Sequence, residues 1–133
     1  MNTAIRLSFF FGLCLLLSFG TACNEIECSI EEDQQIIEDY LSNNNLSATE
    51  RESGLHYILE DEGIGNFYPT FTSIVTVKYR GYFTDGTVFD ENETGVEFGV
   101  SGVIPGWQEG LTLMKKQSKA QFFIPSSLAY GRQ

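Results

Sequence analysis

Basic residues are scarce in this chain: eight lysines and arginines stand against eighteen aspartates and glutamates, for a formal net charge of −10. Such a balance argues against nucleic acid as a partner, because a phosphate backbone is held by clustered cations. One histidine and three cysteines offer no ligand spacing for a metal, and none is expected. The cysteines give no disulfide framework either. No apolar run reaches the roughly 20 residues of a membrane-spanning helix, and there are no internal repeats. Tryptophan occurs once, at Trp107 in SGVIPGWQEG. That single large aromatic, set behind two aliphatic residues, a proline and a glycine, asks for an explanation.

At 133 residues the chain has room for one domain and a short N-terminal surplus. Residues 1–6 carry one base and no acid, and residues 7–19, LSFFFGLCLLLSF, make a signal-peptide core. GTAC follows and resembles a bacterial lipobox, with Gly20 where such signals usually have Leu. That resemblance implies that residues 1–22 are removed with Cys14, and that Cys23 becomes the lipidated first residue of an exported, membrane-anchored lipoprotein, on the periplasmic or cell-surface face of the outer membrane. A plain cleavage near Ala22 is the alternative. A lipidated Cys23 leaves Cys28 as an unpaired thiol, whereas an unmodified one permits a Cys23–Cys28 bridge. Residues 23–53 read as an acidic tether carrying Glu25, Glu27, Glu31, Glu32, Asp33, Glu38, Asp39, Glu50 and Glu52 against Arg51 alone. A solvated, repulsive spacer off an anionic bilayer is the simple reading, and a sorting address for surface display is the sharper one.

Within the tether, Ser29 and Glu32 form a capping-box pattern, and Ile36, Ile37, Tyr40 and Leu41 share a helical face, so a helix is expected over residues 30–42. SNNN stops it. From Gly54 the apolar period becomes two. Leu55, Tyr57 and Leu59 face one way, which leaves His56 toward solvent. In SIVTVKYRGYF, Val75, Val77, Tyr79 and Phe83 alternate with Thr76, Lys78 and Arg80. TDGT supplies the Asp-Gly of a tight hairpin into Val88 and Phe89, and a short extended piece is expected over residues 96–100. Pro105 and Gly106 open a short helix that turns Trp107, Leu111 and Met114 inward and ends at Lys115 and Lys116. A last strand over residues 119–124 turns Ala120, Phe122 and Ile124 inward. The expected fold class is α+β: an antiparallel, strongly curved sheet wrapped around one short helix, with an N-terminal helical extension.

Three stretches in order, VKYRGYFTDGTVFDEN, VIPGWQEGL and IPSSLAYG, resemble the successive signatures of the FKBP-type peptidyl-prolyl isomerases, over residues 54–133. The resemblance implies a half-barrel in which Trp107 floors an apolar proline pocket walled by Tyr79, Phe89, Val103, Ile104 and Tyr130. Asp90 would line its rim, the Ile104 N–H and the Tyr130 hydroxyl would meet substrate carbonyls, and Phe98 would support the pocket from behind. Val96 stands where many relatives carry a larger aromatic. Proline-containing polypeptides are the implied partners, with macrolides as further ligands, and no cofactor is needed. Oligomeric state is left open.

Such a pocket suits the chemistry. Rotation about a prolyl amide breaks resonance against a barrier of about 18–20 kcal/mol and makes no covalent bond, so the catalyst needs a cavity that favours the twisted amide over either planar isomer. A nucleophile or proton shuttle would add nothing. Asp90 is therefore read as an acceptor for a neighbour such as Tyr79, and not as a general base. From spacing alone Trp107, Phe89 and Val103 are also compatible with ordinary core, and Tyr79 and Tyr130 with buried tyrosines that find partners.

Relatives continue past AYGRQ into a flap and a closing strand, which points to a truncated reading of a longer protein or to a strand supplied by a partner. Two functions follow: an isomerase for exported proteins, or a non-catalytic membrane-anchored module that binds chains in the same groove.

Overall fold

The computed structural model describes residues 25–131, with side chains from Ile30 onward. The expected leader with Cys14, the expected lipidation residue Cys23 and the Cys28 side chain lie outside the described residues. Helix α1 spans Glu25–Asn43. It begins earlier than the capping pattern indicates, so Ser29 lies within it and does not cap it; acids in a helix's first turns favour its N-terminus and permit that extension. Ile37 and Leu41 are buried while Ile36 is half exposed, so the packed stripe is narrower than the sequence suggests.

Among the described residues five strands form two antiparallel sheets. One runs β1 (Thr49–Glu50), β2 (His56–Asp61), β5 (Lys119–Phe123); the other pairs β3 (Ile74–Tyr82) with β4 (Val88–Gly99). Together with the helices they make an α+β fold. β2 aligns His56 with Phe123 and Asp61 with Lys119, with an irregularity between Leu59 and Asp61. His56 is buried, contrary to the alternation. β1 and β5 flank it on either side, and its Nδ1 folds back to 3.1 Å from the Gly54 carbonyl oxygen. Leu55 beside it is fully buried.

Phe83 and Thr87 close the β3–β4 hairpin, with Gly86 at φ +87° and the Asp85 carboxylate accepting from the Thr87 N–H. The extended piece expected at residues 96–100 is the second half of β4, one continuous twelve-residue strand. β4 is nevertheless bent. While β3 advances two residues from Val77 to Tyr79, β4 advances four between the partners Val96 and Asn92. The Asn92 side-chain oxygen accepts the N–H groups of Thr94 and Gly95 inside that bulge, and Gly95 takes φ +103°.

Helix α2, Pro105–Thr112, lies on β5 through two glycines. A Cβ on Gly106 would meet the Ile124 side chain at 2.5 Å, and one on Gly110 the Phe122 ring at 2.6 Å. Their absence of side chains is what lets the helix sit so close. α2 stops before Lys115, whose ammonium pairs with Glu62 at 3.3 Å. Helix α1 meets the same end of β5 on its other face, since Phe123 alternates with Phe122 and Ile124. Tyr40 packs against Phe123 with ring centroids 5.9 Å apart, and the Asp33 carboxylate accepts the N–H and hydroxyl of Ser126 at the head of the 3₁₀ turn Ser126–Leu128.

Candidate active site

Trp107 is the third residue of α2 and packs against two aromatic rings from the β3–β4 hairpin. Tyr79 lies 5.0 Å away and Phe98 5.7 Å away, centroid to centroid, each ring at 86° to the indole. Tyr79 and Phe98 are themselves 6.0 Å apart, so the three rings form one cluster. Edge-to-face packing fixes ring orientation as well as distance. The bend in β4 contributes, because Phe98 lies beyond the bulge while its neighbour Tyr79 pairs before it.

At the rim the Tyr79 hydroxyl donates to the Asp90 carboxylate at 2.6 Å. That bond, then burial and the carboxylate's charge, hold the phenol above its ordinary pKa. Tyr79 is thus a neutral donor at any physiological pH, and Asp90 is an acceptor already engaged, a poor arrangement for a general base. Phe89 lies across Gly81: a Cβ there would meet the ring at 2.6 Å. Its other face leans on Phe83 at 5.0 Å, and the side chain is 52% exposed, open toward any bound chain. Tyr130, 72% exposed, is near enough to Tyr79 to help raise its pKa.

Val103 and Ile104 precede α2 and are half buried. The Gln108 amide donates to the Val103 carbonyl at 2.7 Å, which braces this approach. Ile104 is the helix N-cap, and its carbonyl accepts the N–H groups of Trp107 and Gln108. Among the described residues no backbone acceptor takes the Ile104 N–H, leaving a donor at the start of α2. Val96 pairs with Val77 across the hairpin.

The ordering of a ring cluster, a hydrogen-bonded rim and a helix-start donor coincides with a family match: residues 66–133 fit the model of the FKBP-type peptidyl-prolyl cis-trans isomerases. The chain belongs to that family. Curated relatives include the FKBP-type peptidyl-prolyl cis-trans isomerase FkpA of Aeromonas hydrophila, 46% identical over 105 residues that cover 75% of this chain and 39% of the relative. Another is the outer membrane protein MIP of Legionella longbeachae, 48% identical over 82 residues, 59% of this chain and 35% of that one. The crystal structure of FkpA from Escherichia coli superposes with a TM-score of 0.67 at 32% identity, over 80% of this chain and 51% of the other. The chain spans between about a third and a half of the length of these relatives.

The FKBP-type domain also contains contributors that the sequence reading does not single out. Gly81 seats Phe89, and its signal is a lone glycine inside an alternating strand, which marks a close approach. Glu109 joins α2 to the turn before β2, receiving Arg51 Nε at 2.9 Å and Ser53 Oγ at 2.5 Å. No local pattern announces that contact.

Proposed function

We propose that this chain catalyses cis–trans isomerisation of prolyl peptide bonds, in the cleft floored by Trp107, for proteins folding outside the cytoplasm. The observation that carries the reading is the orthogonal Tyr79–Trp107–Phe98 cluster with the Tyr79–Asp90 bond at its rim. A proline ring set on the indole face between these walls leaves its amide at the mouth of the cleft. There the apolar surroundings disfavour the charge-separated planar form and so weaken the amide's resonance. The free Ile104 N–H offers a donor to a substrate carbonyl, and the Tyr130 hydroxyl offers a second. Val103 and Phe98 supply apolar surface behind the ring. Uncatalysed, this rotation takes tens to hundreds of seconds, long enough to limit folding.

Lipidation at Cys23, attachment to the outer membrane and affinity for macrolides belong to the same proposal. Mass spectrometry of the mature N-terminus tests the first. The open wall at Phe89 and Tyr130 also fits a second reading, a groove that binds proline-containing segments without turning them over. A protease-coupled or NMR exchange assay of prolyl isomerisation, with the Phe89→Ala chain as control, separates the two. Catalysis that collapses in the control supports the enzyme; peptide binding without acceleration in the parent chain supports the binding module.

A further inference from the structure

We infer that Glu109 is a positioning residue, which holds α2 at the roll about its axis that presents Trp107 to the cleft. This rests on the catalytic reading of the Trp107 cleft. α2 sets the bare backbone of Gly106 and Gly110 against the side chains of Ile124 and Phe122, and with no ridge on the helix side of that seam the contact fixes distance more firmly than roll. The rings packed on Trp107 and the buried Leu111 hold one flank of the helix, and the opposite flank needs a contact of its own. At 3.6 residues per turn, Glu109 and Trp107 project about 200° apart, on opposite flanks of that glycine seam. A tether on the Glu109 flank therefore sets the attitude of the indole on the other.

The tether is bidentate. Arg51 Nε donates to one carboxylate oxygen at 2.9 Å and Ser53 Oγ to the other at 2.5 Å. Both donors stand on a turn that is itself well fixed: the Gly54 N–H donates to the Arg51 carbonyl, the Arg51 N–H donates to the Leu55 carbonyl, and Gly54 adopts φ +87°. Ser53 Oγ also accepts the Leu55 N–H at 3.3 Å, and Leu55 is fully buried. Glu109 keeps only a quarter of its side-chain surface exposed, which distinguishes it from the open ion pair of Arg80 with Glu91, 64% and 49% exposed. Glu50 and Glu52 line the same crevice of about 480 Å³, so Arg51 stands among several carboxylates and Ser53 gives the tether its direction.

The test uses the whole chain and its single tryptophan. Fluorescence emission and acrylamide quenching of Trp107, with kcat and KM for a prolyl peptide, are compared for the parent, Glu109→Ala, Glu109→Gln and Ser53→Ala. Emission of Glu109→Ala is expected to shift to the red with kcat falling about tenfold or more, while Glu109→Gln, which keeps an acceptor for Ser53, recovers most of both. Variants that melt at lower temperature but retain parental emission and parental kcat overturn the inference and leave an ordinary surface staple. Should Glu109→Ala not fold, Ser53→Ala decides by the same two readouts. A parent chain without isomerase activity removes the catalytic reading, and the emission comparison then decides the tether alone.

Discussion

Phe89 is half exposed and lies on the backbone of Gly81, so its ring contributes little to the core, and under the proposed function it walls the cleft. Phe89→Ala is accordingly expected to lower kcat/KM by about tenfold or more while shifting the melting temperature little, which parallel kinetics and calorimetry check. Gly81→Ala makes a sharper case: it removes nothing, yet the added methyl displaces the ring, and activity should fall with only a small loss of stability. The Tyr79–Asp90 pair was legible in the sequence because both residues fall in one quoted signature. The Gly81–Phe89 stack was not, because it depends on the register of the hairpin, in which Gly81 pairs with Asp90, next to Phe89.

Glu109 also makes a statement about pH. Burial opposes its ionisation, but the hydrogen bonds from Ser53 and Arg51 outweigh that and hold the carboxyl below its ordinary value of 4.5. A depressed folded pKa means that the bound carboxylate stabilises the fold fully above pH 4.5 and that this contribution disappears as pH falls through the lower folded value. Melting temperature against pH should drop more steeply below 4.5 in the parent than in Glu109→Gln.

Among the elements, α2 is held by what it lacks. Gly110→Ala places a methyl 2.6 Å from the Phe122 ring, and a ring packed between strand and helix yields only by shifting one of them. The expected loss is roughly 1–3 kcal/mol by denaturant titration, with activity lost in step because Trp107 moves with the helix. α1 is attached differently: beside its buried Ile37 and Leu41, it docks through the Asp33 carboxylate and the Tyr40 ring. Asp33→Ala removes both acceptor contacts to Ser126 and should cost about 1–3 kcal/mol. Earlier hydrogen exchange of the α1 amides would localise the change to that helix. The amphipathic stripe of α1 was legible from its spacing. Its docking site was not, since Asp33 and Ser126 are 93 residues apart in the chain.

Over the whole molecule, a net charge of −10 makes the folded chain self-repulsive at low ionic strength. The pairs Arg80–Glu91, Lys115–Glu62 and Lys119–Glu60 that oppose this each leave at least one partner well exposed and are individually weak. Screening the net charge should therefore outweigh screening the pairs. Raising salt from about 0.01 M to about 0.15 M, which shortens the Debye length from about 30 to about 8 Å, is expected to raise the melting temperature. A fall would mean that the ion pairs, and not the excess acid, dominate.

The sequence by itself determined the class of fold, the succession of strands and a short helix along the chain, and the three signatures of the family. The elements follow from local period and turn chemistry, and each signature lies within one stretch of chain. Only the tertiary structure decided which rings meet edge to face, that His56 is buried, how β4 bends to deliver Phe98, and that Glu109 reaches back to Arg51 and Ser53. Those are properties of register and of contacts between distant segments. A residue's neighbours along the chain fix its side of a strand or helix, whereas what that side meets is fixed only when the elements pack.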